Sequence, residues 1–402
     1  KMLAGFCLFI ALWLCGQTEP VQAEVVNETR WSSSRLITED VTVRGTITIP
    51  EGCDVTVWGY GGNYSFTNAT VAGSDGKRYP MFQVEEGATL TLVNVKLNGA
   101  GVRSKNSACV VVRGKDVYGN PGTLNIEDNV YIYGSYMDGS EGGHGVYGDS
   151  GSRINMKNGV IWNCEGYGIG SYGEVNMSGG AIVNCRIGID GNGSGTNITM
   201  SGGAVHNNYN GGLHTTNGSI RVTGGNIYEN PIGVASENGN ISLEAQANVH
   251  HNSGSGVVSD GGAVYFKSGE VHDNSDQGFY LSNCNTWFIG GSVYNNKNGF
   301  SVSGGNFYGN RVDIRNNSEN GITARNVGDF KIYDGSVHDN VNGVILNNCT
   351  SAICGGEIRN NSGTGIDISG GTAAVSGGSV HDNTTNIQNG GTLEVKGGAD
   401  IH

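Results

Sequence analysis

Proline, charged residues and helix-like patterns are all scarce in this chain of 402 residues. Only 5 residues are Pro and 15% are charged, which excludes a collagen repeat and the highly charged composition of a disordered chain. No apolar pattern of helix length occurs, and the 70 Gly and 47 Asn disfavour helix interiors. We therefore do not expect a mostly helical protein.

Positive charge is scarce as well. The chain has 23 Lys and Arg against 36 Asp and Glu, a net charge of −13. These charges are spread along the sequence rather than clustered. This balance argues against nucleic acid or an anionic membrane as a partner.

The first 23 residues have the pattern of a secretory signal. A short apolar run at residues 8–14 precedes a small-x-small cleavage site at residues 21–23, and the run is too short to span a bilayer as a helix. We therefore predict export to a secreted or cell-surface location and a mature chain without a membrane span. The alternative is a buried apolar strand at this end.

The other end of the chain stops within a repeat, at Ile401 and His402, without a cap. A stacked repeat that ends in this way leaves an open sheet edge, which invites pairing with other chains. We therefore expect a truncated repeat and a further C-terminal domain or cap in the complete protein.

A repeat of 21 to 23 residues begins near residue 154. The copies align on an apolar anchor that follows a glycine pair, and three residues beyond each anchor lies a second column of two Cys and then nine Asn. The anchors are Ile161, Ile182, Val205, Ile227, Val249, Val271, Val293, Ile314, Val337, Ile358 and Val380. The second column is Cys164, Cys185, Asn208, Asn230, Asn252, Asn274, Asn296, Asn317, Asn340, Asn361 and Asn383.

Each copy contains three short apolar patches, and alternation with a period of two indicates strands. Three strands and three turns in about 22 residues make one triangular coil, and equivalent positions then stack at roughly 4.8 Å. The predicted fold is all-β, a single-stranded right-handed parallel β-helix. Gly and Asn would supply the corner conformations with positive φ, and stacked Asn side chains would form a structural ladder. Distorted corners are expected where the Gly pair is replaced, at Gln246 with Ala247 and at Arg311 with Val312.

Residues 36–153 show the same succession of short strands and turns less regularly. We interpret residues 24–35 as an N-terminal cap or linker, 36–153 as irregular coils with insertions and 154–402 as regular coils of one solenoid. The insertions are near residues 68–81, 99–107, 114–122 and 134–152.

The repeat S-G-G-x-[IV]-x-x-N followed by G-[IV] resembles secreted bacterial adhesin-like proteins of the pectin-lyase-like β-helix superfamily. GGAI at residues 179–182 and FYGN at residues 307–310 are also similar to short motifs of chlamydial polymorphic outer-membrane proteins. The resemblance implies a parallel β-helix. It is weak for function, because the superfamily includes lyases, hydrolases, tailspikes and adhesins.

Histidine and tyrosine gather in a third column, one residue after each anchor, which contains six of the nine His when His402 is counted. If the anchor points inward, this column points outward. It could bind acidic glycans or stack on sugar rings, it could only stabilise the sheet, or His250 and His272 could chelate a metal ion. Our main prediction includes no metal site. The predicted binding residues are Trp162, His206, Tyr228, His250, His272, Tyr294, Arg315, His338, Arg359 and His381.

Cys164 and Cys185 occupy adjacent rungs of the Asn column. Stacked positions about 4.8 Å apart fall within disulfide range, so a bridge is one interpretation. The alternative is two buried thiols that replace Asn in the ladder.

The catalytic motifs of the superfamily are incomplete in this chain. A Gly-His-Gly triplet occurs at residues 143–145, without the carboxylate pair and the Arg-x-Lys that accompany it in polygalacturonases. Asp273, Asp339 and Asp382 share one column, which we interpret as a column of turn residues. We therefore predict no catalytic residues.

These observations predict a secreted or cell-surface, adhesin-like bacterial protein without catalytic activity or cofactor. Its expected partner is a polysaccharide or the surface of a host or neighbouring cell. The alternative is a carbohydrate-active enzyme, either a polysaccharide lyase or a glycoside hydrolase, with a site formed by the insertions at residues 98–122 and 134–152.

Overall fold

The computed structural model describes residues 19–21, 25–27, 29–61, 64–69, 80–100, 103–104, 108–138 and 141–402. The chain divides into two compact units, an N-terminal unit of residues 1–191 and a C-terminal unit of residues 192–402. The described residues form strands and turns and include no helix, and thus none that could cross a membrane. Each unit is a parallel β-solenoid with about 22 residues per coil. The predicted all-β parallel β-helix is therefore confirmed.

The N-terminal unit arranges its strands in three columns, and each strand pairs in parallel with the equivalent strand of the next coil. A small separate sheet, which includes one antiparallel pair, lies beside them and is formed by Arg103–Ser104, Tyr136–Asp138 and Glu141–Gly142. The first column is Glu19–Val21, Arg35–Ile37, Asp54–Gly59, Thr89–Val93, Thr123–Ile126, Arg153–Met156 and Glu174–Met177. The second is Val25–Val26, Val41–Val43, Tyr64–Asn68, Val95–Asn98, Tyr131–Tyr133, Val160–Trp162 and Ala181–Val183. The third is Thr29–Arg30, Ile47–Ile49, Phe82–Val84, Ala108–Val112, His144–Gly148, Ile169–Ser171 and Ile187–Asn192.

The C-terminal unit repeats this arrangement more regularly, and two of its strands run through both the first and the second column. Those two strands are Ser219–Tyr228 and Asn240–His250. The other first-column strands are Asn197–Met200, Ala263–Phe266, Asn285–Phe288, Asn306–Gly309, Asp329–Ile332, Cys349–Ile353, Gly371–Val375 and Thr392–Val395. The other second-column strands are Ala204–His206, Glu270–His272, Ser292–Tyr294, Val312–Arg315, Gly335–His338, Glu357–Arg359, Gly378–His381 and Ala399–Ile401. The third column is Gly211–Thr216, Val234–Glu237, Val257–Asp260, Gln277–Ser282, Asn298–Ser303, Asn320–Arg325, Asn342–Asn347, Thr364–Ile368 and Thr385–Asn389.

Parts of the predicted domain division fall on described residues. Most of the predicted signal, residues 1–23, lies outside them, and Glu19–Val21 forms a strand in the first column. Within the predicted cap, residues 24–35, Val25–Val26 and Thr29–Arg30 already pair with strands of the following coil. The division into signal, cap, irregular coils and regular coils stays a prediction.

The core of each unit is a stack of equivalent apolar side chains. In the C-terminal unit, Val249, Val271 and Val293 are paired neighbours in the second column and are fully buried. Phe279 and Phe300 stack in the core with ring centroids 4.4 Å apart. Each fully buried side chain of this size stabilises the fold by about 1.5–3 kcal/mol. The inward-facing residues of the period-two pattern therefore stabilise the stacking of the coils.

The corner that follows the second column has one conformation in both units. The residue two positions after each anchor has a φ between 52° and 56°, a left-handed conformation that Asn and Asp tolerate better than most residues. This confirms Asp273, Asp339 and Asp382 as corner residues. The full set is Asn163, Asn184, Asn207, Glu229, His251, Asp273, Asn295, Asn316, Asp339, Asn360 and Asp382.

The two corners in which both glycines of the pair are replaced are distorted, as predicted. Ala245 has a φ of 49° and Arg311 a φ of 56°, although neither residue favours this region. Beside Ala245, the pairing of Ser219–Tyr228 with Asn240–His250 shifts register between Val222 and Gly224.

The predicted Asn ladder is confirmed in the C-terminal unit. The backbone N–H of Asn252 donates to Asn274 Oδ1 over 3.1 Å, and the side-chain amide of Asn252 donates to the same oxygen over 2.8 Å. The side-chain amide of Asn274 also donates to the anchor carbonyl of Val249 over 3.3 Å. Equivalent links join each neighbouring pair of the column: Asn208, Asn230, Asn252, Asn274, Asn296, Asn317, Asn340, Asn361 and Asn383.

A column of glycines provides the space for this ladder. A Cβ atom at Gly278 would lie 2.7 Å from Val293 Cγ1, 2.8 Å from the Gly299 carbonyl oxygen and 3.1 Å from Asn296 Nδ2. Gly278 does not have a positive φ, so close packing, rather than the corner conformation assumed from the sequence, requires glycine here. The same crowding occurs at Gly212, Gly233, Gly256, Gly278, Gly299, Gly321, Gly343 and Gly365.

Cys164 and Cys185 are buried free thiols, so the proposed disulfide is not present in the structure. The two thiols are in hydrogen-bonding contact, which together with burial raises the pKa of Cys164. Cys185 Sγ lies 3.5 Å from the carbonyl oxygen of Val183, just as Asn230 in the C-terminal unit donates to the carbonyl two residues before it. The alternative interpretation, in which Cys replaces Asn in the ladder, agrees with this geometry.

The glycine column leads to a direct test of the packing. We expect Gly278→Ala to lower the free energy of unfolding by about 1–3 kcal/mol, because overpacking forces neighbouring atoms apart. Gly195→Ala is the matched control, since a Cβ there would meet nothing within 4 Å. Urea denaturation of both variants measures the difference, and equal stabilities would contradict this account of the column.

Candidate functional site

The predicted His and Tyr column forms a continuous stack of planar groups in the C-terminal unit, which we call the ring ladder. The centroid of His206 lies 4.6 Å from that of Tyr228, and His250 and His272 follow at spacings of 5.2 Å with interplanar angles of 7°. Tyr294 stacks on His272 at 4.7 Å and 2°. The guanidinium of Arg315 then lies 4.2 Å above the Tyr294 ring.

The remaining members of the column are less continuous. Arg359 pairs with Glu357, and His381 stacks on His402 at 5.4 Å. His338 lies 3.5 Å from Asp313. In the N-terminal unit, Trp162 stacks on Tyr133 at 5.1 Å.

Corner carboxylates orient several of these imidazoles. His272 Nδ1 lies 2.6 Å from Asp273 Oδ2, and the same contact joins His338 to Asp339 at 2.6 Å. Burial by itself would raise the pKa of Asp273, but the hydrogen bonds with His272 and Asn295 outweigh it and lower that pKa. The left-handed corner is what turns each carboxylate back toward the preceding ring.

The ring ladder is outward-facing but not freely exposed. The side chain of His272 is 13% exposed and that of His338 is 14% exposed, and both faces of the rings between His206 and Tyr294 are covered by neighbours. Sugar rings therefore have access to the edges of the ladder and not to its faces. Binding by the predicted column stays a prediction, and it is restricted to hydrogen bonds from ring edges.

A second row of aromatic side chains was not identified from the sequence. Tyr265 stacks on Trp287 with centroids 4.8 Å apart and an angle of 8°, and Tyr308 follows at 6.0 Å and 29°. This aromatic row lies on the outer face of the first column. Ile289 and Tyr333, which are 43% and 46% exposed, extend the apolar surface beside it. The sequence signal is weak because Arg221 and Lys331 occupy the same position in other coils.

Charged side chains around the aromatic row neutralise one another. Glu244 pairs with Arg221 at 2.7 Å and with Lys267 at 2.8 Å, and these hydrogen bonds lower its pKa to about 2. Lys331 pairs with Asp329 at 2.8 Å. The outer face of the first column therefore offers aromatic rings and paired charges rather than a field of one sign.

A buried polar cluster surrounds His144 in the N-terminal unit, within a predicted insertion. The imidazole lies between the rings of Tyr147 and Tyr167, with centroids 5.7 Å and 4.8 Å away. Its Nδ1 accepts a hydrogen bond from the Tyr167 backbone N–H over 3.0 Å. The Tyr167 hydroxyl is hydrogen-bonded to the buried carboxylate of Asp190.

Burial keeps the ring groups of this cluster neutral near pH 7. Burial lowers the pKa of His144 to about 4, so the imidazole is uncharged near pH 7. Burial also raises the pKa of Tyr147 to about 12. Near pH 7 the imidazole and the phenols therefore offer hydrogen bonds, and Asp190 supplies a carboxylate.

No protein-family model and no curated protein sequence matches the chain. Among solved structures, the periplasmic alginate epimerase AlgG is similar with 13% identity and a TM-score of 0.29, over 98% of this chain and 88% of that one. The A-module of the Azotobacter vinelandii mannuronan C-5 epimerase AlgE6 has 15% identity and a TM-score of 0.30, over 91% of each chain. Both of these proteins are named as epimerases, one of alginate and one of mannuronan. With TM-scores this low, neither an activity nor a site residue is transferred to this chain.

The shifted pKa of His144 leads to a pH-dependent stability. Its pKa is about 4 in the folded chain against about 6.5 when unfolded, so protons bind the unfolded chain more tightly. The free energy of unfolding therefore keeps its full value above about pH 6.5, and it decreases by roughly 3 kcal/mol as the pH falls toward 4. In calorimetric scans between pH 7 and pH 4, we expect the Tm of the His144→Asn variant to decrease less than the Tm of the wild type. Equal losses would contradict the assignment.

Proposed function

We propose that this β-solenoid is an exported protein that binds a carbohydrate polymer along the outer face of its C-terminal unit. The observation that carries the proposal is the aromatic row of Tyr265, Trp287 and Tyr308 with Ile289 and Tyr333 exposed beside it. Contiguous exposed apolar surface on a folded protein marks a site of interaction. Tyr and Trp suit sugars because each combines an apolar ring with a polar group.

The periodic arrangement favours a polymer over a small ligand. Equivalent positions recur at roughly 4.8 Å along a column, so a chain of sugars that runs along the column meets the same chemistry repeatedly. On the second column, ring edges such as the Tyr294 hydroxyl offer hydrogen bonds to the same ligand. Tyr294 itself donates to Glu270 over 3.0 Å, which holds the phenol in place.

The paired charges suggest how the polymer would be recognised. Because Lys267 and Lys331 are engaged with carboxylates, attraction between net charges contributes little, and screening by salt should have little effect. Because stacking covers the faces of the rings in the aromatic row, we expect recognition through their accessible edges and through hydroxyl hydrogen bonds. The adhesin-like role and the location at a cell surface belong to this proposal.

A binding experiment tests the proposal. The full chain would be screened on an array of neutral and acidic polysaccharides, and the best ligand would be titrated by calorimetry at low and high salt. We expect Trp287→Ala to weaken binding about tenfold, the effect of losing a central aromatic contact. Tyr209→Ala is the control, since Tyr209 is 63% exposed in a corner outside the aromatic row.

Two outcomes would contradict the binding proposal. One is the absence of binding to every polysaccharide on the array. The other is a Trp287→Ala variant that binds as tightly as the wild type and the Tyr209→Ala control.

The second candidate function is a carbohydrate-active enzyme. Its specific support within the chain is the cluster of His144, Tyr147, Tyr167 and Asp190 at a predicted insertion. The neutral imidazole and the two phenols could hydrogen-bond a sugar, and Asp190 could act as a base.

Turnover distinguishes the two candidates. The chain would be incubated with acidic and neutral polysaccharides, with and without Ca²⁺, while reducing ends, unsaturated products and changes in sugar configuration are followed. The binding proposal predicts no product. Product formation that His144→Asn abolishes and Trp287→Ala leaves intact would contradict the binding proposal and support the enzyme.

A further inference from the structure

We propose that His251, His272 and Asp273 form a binding site for a divalent transition-metal ion such as Zn²⁺. One ring nitrogen of each histidine and one carboxylate oxygen of Asp273 lie within 4.8 Å of one another. Two imidazoles and a carboxylate are a ligand set that suits Zn²⁺, Cu²⁺, Ni²⁺ and Fe²⁺. This inference is independent of the carbohydrate proposal.

The backbone brings these three donors together. Asp273 follows His272 in a left-handed corner, which turns its carboxylate back so that Oδ2 lies 2.6 Å from His272 Nδ1. His251 occupies the same corner position one coil earlier, with a φ of 52°. Its ring centroid is 6.1 Å from that of His272 and nearly perpendicular to it, so the imidazole edges converge rather than stack.

Neighbouring side chains hold the donors in position. Asn295 Nδ2 donates to Asp273 Oδ1 over 3.1 Å, which leaves Oδ2 directed at the imidazole. His250 Nδ1 lies 2.8 Å from His251 Nδ1, a contact that orients the ligating ring as partners around a metal site commonly do. Glu270 Oε2, 3.9 Å from His272 Nε2, adds negative charge beside the site.

Among the described coils of the C-terminal unit, two histidines and an aspartate come together at one corner. His338 with Asp339 and His381 with Asp382 repeat the imidazole–carboxylate contact. The corner one coil earlier holds Asn316 in the first case and Asn360 in the second, and an Asn in that position supplies no imidazole. His251 replaces the usual Asn and completes the ligand set.

Access and open coordination also fit a metal. The site borders an open groove whose lining includes His251, Asp273, Asn295, Lys297 and Glu319. Three protein ligands leave one position of a tetrahedral ion for water or for a ligand in the groove. Ca²⁺ and Mg²⁺ require more oxygen ligands than this site contains.

Binding must compete with protons at these groups. The metal displaces the proton shared by His272 Nδ1 and Asp273 Oδ2, so affinity should fall as the pH is lowered. The other titratable groups near the site are His250, Glu270 and Glu229, together with Lys297 and Glu319 of the groove.

Metal titration of the full chain tests the site. After treatment with a chelator and dialysis, the protein would be titrated with Zn²⁺ by calorimetry and with Co²⁺ by visible absorption. We expect one ion per chain, with tetrahedral d–d bands for Co²⁺ and no competition from Ca²⁺. We expect His251→Asn and Asp273→Asn to weaken binding by more than ~10-fold, since even losing a supporting residue costs that much.

The variants are matched to the fold. Asn is the commonest residue in this corner column and tolerates its positive φ, so both substitutions should leave the coil intact, as a circular dichroism melt would verify. Asp339→Asn is the control, because it removes the same carboxylate contact where no second corner histidine is present. A wild type that binds no Zn²⁺, or a His251→Asn variant that binds it unchanged, would overturn the proposal.

Discussion

The hydrogen bond from one coil's asparagine to the next is the interaction on which the C-terminal unit depends. Asn274, for example, accepts two hydrogen bonds from Asn252 through Oδ1, and it donates to Asn296 and to the anchor carbonyl of Val249. A buried polar group without such partners costs free energy, so the ladder forms only when equivalent residues are aligned. The neighbouring glycines admit the side-chain amides at this close spacing. In the C-terminal unit, one polar column therefore specifies the register between neighbouring coils.

Fixed register explains why function-bearing side chains occur in rows. Once the anchors are aligned, the residue after each anchor is also aligned, and His206 through Tyr294 stack face to face as a consequence. The same alignment brings Tyr265 and Trp287 together on the neighbouring face. Stacking has a chemical consequence, because it covers the ring faces and leaves only edges for a ligand. A residue that differs from the rest of its column, such as His251 among Asn, Asp and Glu, adds a chemical group that the other coils lack at that position.

Much of this architecture follows from the sequence, because a strict repeat reveals every column whose members are alike. The anchors, the Asn ladder and the corner role of Asp273 are of this kind. The aromatic row was missed because Tyr265, Trp287 and Tyr308 share a column with Arg221 and Lys331, so the repeat does not reveal it. Side-chain positions were needed to establish that the His and Tyr faces are covered. His251 was visible as the one imidazole in a corner column of Asn, Asp and Glu, but its approach to His272 depends on backbone geometry.

The free energy contributed by one rung of the ladder tests the account most directly. Asn274→Ala removes the acceptor of two hydrogen bonds from Asn252 and the donor to Val249. We predict a decrease of about 2–4 kcal/mol in the free energy of unfolding measured by urea denaturation. The exposed Asn210→Ala control should change it by less than about 0.5 kcal/mol. Equal effects of the two substitutions would contradict the claim that the ladder specifies how the coils stack.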